Sequence, residues 1–392
     1  MNTVQFRSVL SSRLDDWRAQ GLERNPAAFG TDQDPESVID GEARMLFSSS
    51  NYLGLASHPT VRAAAHTALD RYGAGSGGSR LTTGTTDLHR ELEAEIADWL
   101  GYPRCVYLST GYQANLATLS VLGDSRDEPV TVFSDERNHA SIIDGIRFAR
   151  STGAHLQVYP HRDLSTLRTQ LQERPTTHAL VVTDGVFSMD GTIAPVDELV
   201  ALCREQDALL VVDDAHGIGT LAVDGSGCAA SAHPDVLVGT ASKALGSEGG
   251  FICCDEVVAD LVTNQARPYV FSTSNAAPVI AATLAAVRLV RGQDRSVRNL
   301  RSNITHLCRR LEDAGIVAPS SGVGTTPIIP VPVGDEAAAM AVSAQLRDAG
   351  FHVPAIRYPT VPRGAAILRV TVMATHTRGQ LDALADALIS LR

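Results

Sequence analysis

Val236-Leu237-Val238-Gly239-Thr240-Ala241-Ser242-Lys243-Ala244-Leu245-Gly246 runs from a short β-branched stretch into small and hydroxylated residues around a single lysine, and Glu248-Gly249-Gly250 follows. The apolar run reads as a buried strand, which places the lysine just past a strand end. A lysine there costs free energy unless its amine is neutral or in covalent use. Linkage to an aldehyde cofactor is one such use. The small neighbours leave room for a flat ring, and Thr240 and Ser242 can donate to a phosphate. A surface lysine in a loop is the plain alternative, and this stretch alone does not decide.

The same texture recurs upstream and just downstream. Val106-Ser109, Val130-Asp135, Leu156-Pro160, Ala179-Asp184, Leu209-Asp214 and Gly250-Cys254 are short β-branched runs. Helical segments at 140–151, 163–173 and 196–206 separate most of them. Near-continuous apolar strands joined by helices predict an α/β fold with a buried, mostly parallel seven-stranded sheet and helices on both faces. Such sheets bind ligands at the carboxyl ends of their strands. Before the sheet, the pattern predicts helices over 7–24 (apolar Val9, Leu10, Leu14, Trp17 and Leu22, stopped by Pro26), from Pro59 to Tyr72, and over Asp87 to Leu100 with Gly101 closing it. After Pro278 a helix-rich stretch (279–314) leads to a strand near Ile328, a helix at 335–349, a strand at 367–372 and a last helix at 378–391, read as a smaller α+β domain. The expected division is 1–48 as an N-terminal helix and arm, 49–278 as the large domain and 279–392 as the small one.

Gly73-Ala74-Gly75-Ser76-Gly77-Gly78 spells GxGxxG. A helix precedes it where a dinucleotide fingerprint needs a strand, so it reads as a loop near a ligand. The formal net charge of -11 argues against a nucleic-acid or membrane-surface protein. No apolar run is long enough to span a bilayer and the N-terminus has no signal pattern, so a cytoplasmic enzyme is expected. Cys105, Cys203, Cys228, Cys253, Cys254 and Cys308 form no CxxC pair, which points to reduced thiols and no metal.

The strand ends carry the chemistry. Thr110-Gly111-Tyr112 after the first strand can open a helix whose N–H groups cup an anion. His139, after Val130-Phe133, can stack on a ring or simply cap a helix. Ser188, in Gly185-Val186-Phe187-Ser188-Met189-Asp190-Gly191, can donate to a ring oxygen or make turn contacts. Asp213 ends a wholly apolar strand and His216 follows three residues later. A buried carboxylate there needs a cation, and a protonated pyridine nitrogen is one. Metal ligation by Asp213 and His216 lacks a third ligand at convincing spacing.

In order, Ser49-Ser50-Asn51-Tyr52-Leu53-Gly54-Leu55, Gly78-Ser79-Arg80-Leu81, Asn138-His139-Ala140-Ser141, Val186-Phe187-Ser188-Met189-Asp190-Gly191, Asp213-Asp214-Ala215-His216-Gly217, Lys243, Phe271-Ser272-Thr273-Ser274 and Leu368-Arg369-Val370-Thr371 resemble the α-oxoamine synthase family of pyridoxal phosphate enzymes. The resemblance covers nearly the whole chain. It implies the aspartate-aminotransferase-like fold (fold type I) and a homodimer with the active site at the subunit interface. It matches Lys243 to the cofactor-linking lysine, Asp213 to the pyridinium partner, His139 to the stacking residue, and His216 and Ser188 to contacts at the ring oxygen. Gly111, Tyr112 and Thr240 match phosphate contacts, with Thr273 reaching across the dimer, and Asn51, Arg357 and Thr360 match substrate contacts. The family's N-terminal substrate arginine falls at Arg24 if the gap in Leu22-Glu23-Arg24 is placed there. Gly78-Ser79-Arg80-Leu81 and Ala355-Ile356-Arg357-Tyr358-Pro359-Thr360-Val361-Pro362 are similar to the branch that condenses L-alanine with a pimeloyl thioester, carried by coenzyme A or a carrier protein. Arg357 is expected on the alanine carboxylate, and Arg24 or Arg369 on the distal carboxylate of the acyl chain. The rivals are another branch, such as a glycine-using 2-amino-3-oxobutyrate CoA ligase, an aminotransferase, and a non-catalytic cofactor-binding regulator. The segment before Asn51 is too short for the DNA-binding module that a regulator needs.

Overall fold

The computed structural model describes residues 3–228, 232–292, 295–317 and 324–391. The chain opens with α1 (Thr3–Ala19), which buries none of its residues, so Val9, Leu10, Leu14 and Trp17 face outward. It stops five residues short of the expected end. Gly21 takes φ 66° and Leu22 N–H reaches back to Trp17 O at 3.1 Å, a glycine stop that acts before Pro26 can. A hairpin follows, β1 (Glu36–Ile39) and β2 (Glu42–Leu46), turning at Asp40-Gly41 with φ of 51° and 84°. The helices α2 (Pro59–Tyr72) and α3 (Asp87–Leu100) fall where the pattern places them, with Gly101 in the left-handed conformation at the end of α3.

The main sheet is then built from β3 (Arg104–Leu108), α4 (Gly111–Leu122), β4 (Val130–Asp135), α5 (Ala140–Ser151), β5 (His155–Tyr159), α6 (Leu164–Gln172), β6 (His178–Asp184), α7 (Val196–Glu205), β7 (Leu209–Asp213), β8 (Val236–Thr240) and β9 (Gly250–Cys254). Its seven strands run in the order β3-β9-β8-β7-β6-β4-β5. Only β9 runs against its neighbours, pairing antiparallel with β3 and β8. Alternate residues feed two separate cores. Val181, Leu210, Val212 and Leu237 join one, and Leu180, Val182, Val211, Val236 and Val238 the other. Burial on both faces is why the strands read as unbroken apolar runs.

Beyond the sheet come α8 (Glu256–Gln265), α9 (Arg267–Val270), α10 (Ala277–Arg291), α11 (Arg295–Asp313), β10 (Ile328–Gly334), α12 (Glu336–Asp348), β11 (Phe351–His352), β12 (Ala355–Ile356), β13 (Ala366–Thr371) and α13 (Arg378–Ser390). The strands β10-β13-β12 form an antiparallel sheet. The short β11 pairs in parallel with β2, Phe351 opposite Met45, which ties the N-terminal hairpin to the last third of the chain. Among the described residues no helix is long and apolar enough to cross a membrane, and no cluster of His, Cys, Asp and Glu could hold a metal.

Candidate active site

Three parallel strands bring the site together. Register sets Asp184 of β6 opposite Asp213 of β7, and Asp213 opposite Val238 of β8. Lys243 stands three residues past the end of β8. Gly246 closes that loop with φ 61°, and a Cβ there would lie 2.3 Å from Ala56 N, so a glycine allows the loop to seat on Leu55-Ala56. One cavity of about 260 Å³ at these strand ends is lined by Lys243, Asp213, His139, His216, Ser188, Thr240, Gly111 and Tyr112.

Asp213 is 7% exposed. Its Oδ2 accepts from Asn115 Nδ2 at 2.6 Å and its Oδ1 from Ala215 N at 3.0 Å. Both donors are neutral, so the carboxylate has room for a cation from the cavity side. Asn115 Nδ2 also donates to Ser141 Oγ at 2.8 Å, and Ser141 Oγ lies 2.7 Å from His139 Nδ1. The Ser141 N–H also points to Nδ1, at 3.3 Å, so that nitrogen is the acceptor and Nε2 carries the proton. Burial holds the His139 imidazole below its ordinary range, against a smaller upward pull from Asp213. His216 is pushed well below 6.5, by burial first and then by the charges of Lys243 and Arg369. Its Nδ1 lies 2.7 Å from the Tyr52 hydroxyl. Burial also lowers Lys243, outweighing the opposite pull of Asp213 and Asp184. Two neutral imidazoles and an amine that gives up its proton easily therefore surround one carboxylate.

Thr110 caps α4, its Oγ1 accepting from Gln113 N at 3.1 Å, which leaves the N–H groups of Gly111 and Tyr112 at an open helix N-terminus. Thr240 Oγ1 is within 2.8 Å of Ser242 Oγ and donates to Gly249 O at 2.7 Å. Thus the residues present fit a flat ring bearing a basic nitrogen, a phosphate and an aldehyde.

Other expected residues stand elsewhere. Thr273 is exposed and lies outside this cavity, its carbonyl taking Ser109 Oγ at 2.6 Å. Asn51 is buried, its Oδ1 accepting from Ala56 N at 3.2 Å. Arg357 donates to the carbonyls of Gly21 and Glu23, so it fastens the N-terminal arm. Arg24 is exposed in that arm. Thr360 lines a second cavity, of about 680 Å³, that shares Ser188 with the first. Arg369 is 8% exposed, donates from Nε to Ser188 O at 2.7 Å, and lies near enough to Lys243 and His216 to depress both.

Asp184 was not foreseen. It lines the same cavity and takes a hydrogen bond from the backbone N–H of His139. Burial, reinforced by the charge of Asp213, raises it well above the ordinary carboxyl range. Its signal was in the sequence, an apolar strand ending in Asp, the same pattern that marks Asp213.

The profile of the aminotransferase class I and II family matches residues 42–388. The chain is 49% identical over 389 residues to the biotin biosynthesis bifunctional protein BioWF of Cutibacterium acnes, a match that covers 98% of this chain and 59% of that protein. This chain therefore spans less than two thirds of that relative. It is 42% identical over 368 residues to the 8-amino-7-oxononanoate synthase of Lysinibacillus sphaericus, covering 93% of this chain and 92% of the relative. Among solved structures, the serine palmitoyltransferase of S. paucimobilis with a bound PLP–myriocin aldimine superposes with a TM-score of 0.90 at 29% identity, covering 100% of this chain and 98% of that one.

Proposed function

Since the chain belongs to the class I and II aminotransferase family, we propose that it is a pyridoxal 5′-phosphate enzyme that condenses L-alanine with a pimeloyl thioester, giving 8-amino-7-oxononanoate, CO₂ and the free thiol carrier. The observation that carries the cofactor is Lys243, an amine that burial keeps easily deprotonated despite the charge of Asp213. The choice of substrates rests on likeness to the named synthase.

The cofactor, when bound, supplies an aldehyde for amines and a ring that withdraws charge from the amino acid's α-carbon. Asp213 would hold a proton at the ring nitrogen, His139 would stack on the ring, Ser188 and His216 would donate to its oxygen, and Gly111, Tyr112 and Thr240 would hold the phosphate. Lys243 takes the α-proton of alanine and later returns a proton to the product carbon. Its lowered affinity for protons favours the free amine that acts as the base. Arg369, beside Lys243 and Ser188, is the cation that orients the alanine carboxylate, a part the resemblance assigns to Arg357. The peptide around Asn51 and Thr360 borders the substrate side.

Residues 49–278 form the cofactor-binding body. The smaller body takes in 279–392 together with the hairpin at 36–46. The enzyme is a cytoplasmic homodimer in which Thr273 of the second copy completes each site.

Mass spectrometry of products from L-alanine, glycine and L-serine, each with a panel of acyl thioesters, tests the reading. L-Alanine with a pimeloyl thioester is expected to give the mass of 8-amino-7-oxononanoate. Lys243→Ala should lower turnover roughly a thousandfold or more. A product from glycine alone would replace the reading with a different α-oxoamine synthase, and retained turnover in Lys243→Ala would remove the base.

A further inference from the structure

We propose that Arg137, steadied by Asp190, is the residue that selects a dicarboxylic acyl chain by binding its distal carboxylate. The inference rests on the condensation reading and names a determinant for its second substrate.

The cavity of about 680 Å³ shares Ser188 in its lining with the cofactor cavity. Ile143, Phe187, Pro330, Val361 and Ile367 give it an apolar wall that suits methylenes. The charged residues of its lining are Glu136, Arg137 and Asp190. Glu136 is engaged elsewhere, its Oε1 accepting from His161 N at 3.1 Å. Asp190 is fixed by Thr192, whose N–H and hydroxyl both donate to Oδ1, at 3.0 and 2.7 Å. Its Oδ2 accepts from Arg137 Nη1 at 2.7 Å. That single contact orients the planar guanidinium and leaves its remaining donors for a second carboxylate. The Arg137 side chain is 54% exposed, so an incoming group can reach it.

Asp190 follows Ser188 by two residues, so one stretch of chain both borders the cofactor cavity and carries the partner of Arg137. Arg369 lies at the reacting end beside Lys243, and Arg24 is exposed in the N-terminal arm, so the cation on the cavity wall is the better placed of the three.

The test uses the cofactor-loaded protein with L-alanine and measures thiol release from pimeloyl-CoA and from heptanoyl-CoA, which has the same length without the distal charge. In Arg137→Ala the ratio of kcat/KM for pimeloyl over heptanoyl should fall about tenfold or more. In Arg137→Glu the preference should pass to 7-aminoheptanoyl-CoA. The spectral change on adding L-alanine reports that each variant is folded and loaded. An unchanged ratio in both variants, or equal losses for both acyl chains as a carrier phosphate contact would give, overturns the assignment of Arg137. A wild-type protein that uses heptanoyl-CoA but not pimeloyl-CoA overturns the acyl reading itself, which separates the two failures.

Discussion

Asp184 and Asp213 end neighbouring strands opposite each other, both buried, and two charges cannot be held there at equal cost. Asp213 has Asn115 and the Ala215 N–H, whereas burial and the charge of Asp213 drive Asp184 toward its protonated form. The pair therefore predicts unequal substitutions. Asp213→Asn should lower kcat/KM for L-alanine by a hundredfold to several thousandfold, the equivalent of the ~3–5 kcal/mol of a broken buried pair. Asp184→Asn replaces a carboxyl already driven toward its neutral form and should cost less than about tenfold. Equal losses in the two variants would mean that Asp184 is charged in the working enzyme. That Lys243, Asp213, His139 and His216 gather at one cavity was legible because each ends or follows an apolar run on the side of the sheet where ligands bind. The places of Arg357 and Arg369 were not. Position along the chain does not say whether a long side chain turns into a cavity or onto a carbonyl such as Gly21 O.

At the scale of elements, the sheet was readable almost strand for strand because burial on both faces leaves its apolar runs unbroken. The hairpin of β1 and β2 was missed although Asp40-Gly41 is a turn signal, since its strands are short and half exposed. One histidine clamps that hairpin to the C-terminal body. The His376 ring stacks on Phe47 with centroids 4.2 Å apart, its Nδ1 accepts from Met373 N at 2.9 Å, and its Nε2 donates to Leu46 O at 3.0 Å. Burial pushes this imidazole down to about 4 from 6.5, against upward pulls from those two backbone contacts. The unfolded chain takes up the proton first as pH falls. The stabilisation is thus complete above about pH 6.5 and is lost on the way down to about pH 4, by up to about 3 kcal/mol. His376→Phe should be less stable at pH 8 by about 1–3 kcal/mol, because it leaves Met373 N–H and Leu46 O unpaired. Between pH 6.5 and 4 its urea midpoint should fall less steeply than that of the wild type. Parallel curves would show that the imidazole is not the titrating group.

At the scale of the whole molecule, the proposed dimer makes a prediction of its own. Thr273 is exposed and outside the cavity of its own chain. Light scattering should return twice the 41.5 kDa of one chain. Chains carrying Lys243→Ala, mixed through reversible dissociation with chains carrying Thr273→Ala, should recover activity above the sum of the two alone. One of the two sites in each mixed dimer then has neither substitution. No gain would place Thr273 in the service of its own chain's site.

The pairing of β2 with β11 also bears on how the protein is made. Met45 and Leu46 leave the ribosome about 300 residues before Phe351 and His352, which at 5–20 residues per second is roughly 15–60 s. Throughout that interval the outer edge of β2 has no neighbour, and an open strand edge is a template for another chain. Glu42, Arg44 and the brevity of the strand serve as guards for a nascent chain that must wait for its own far end.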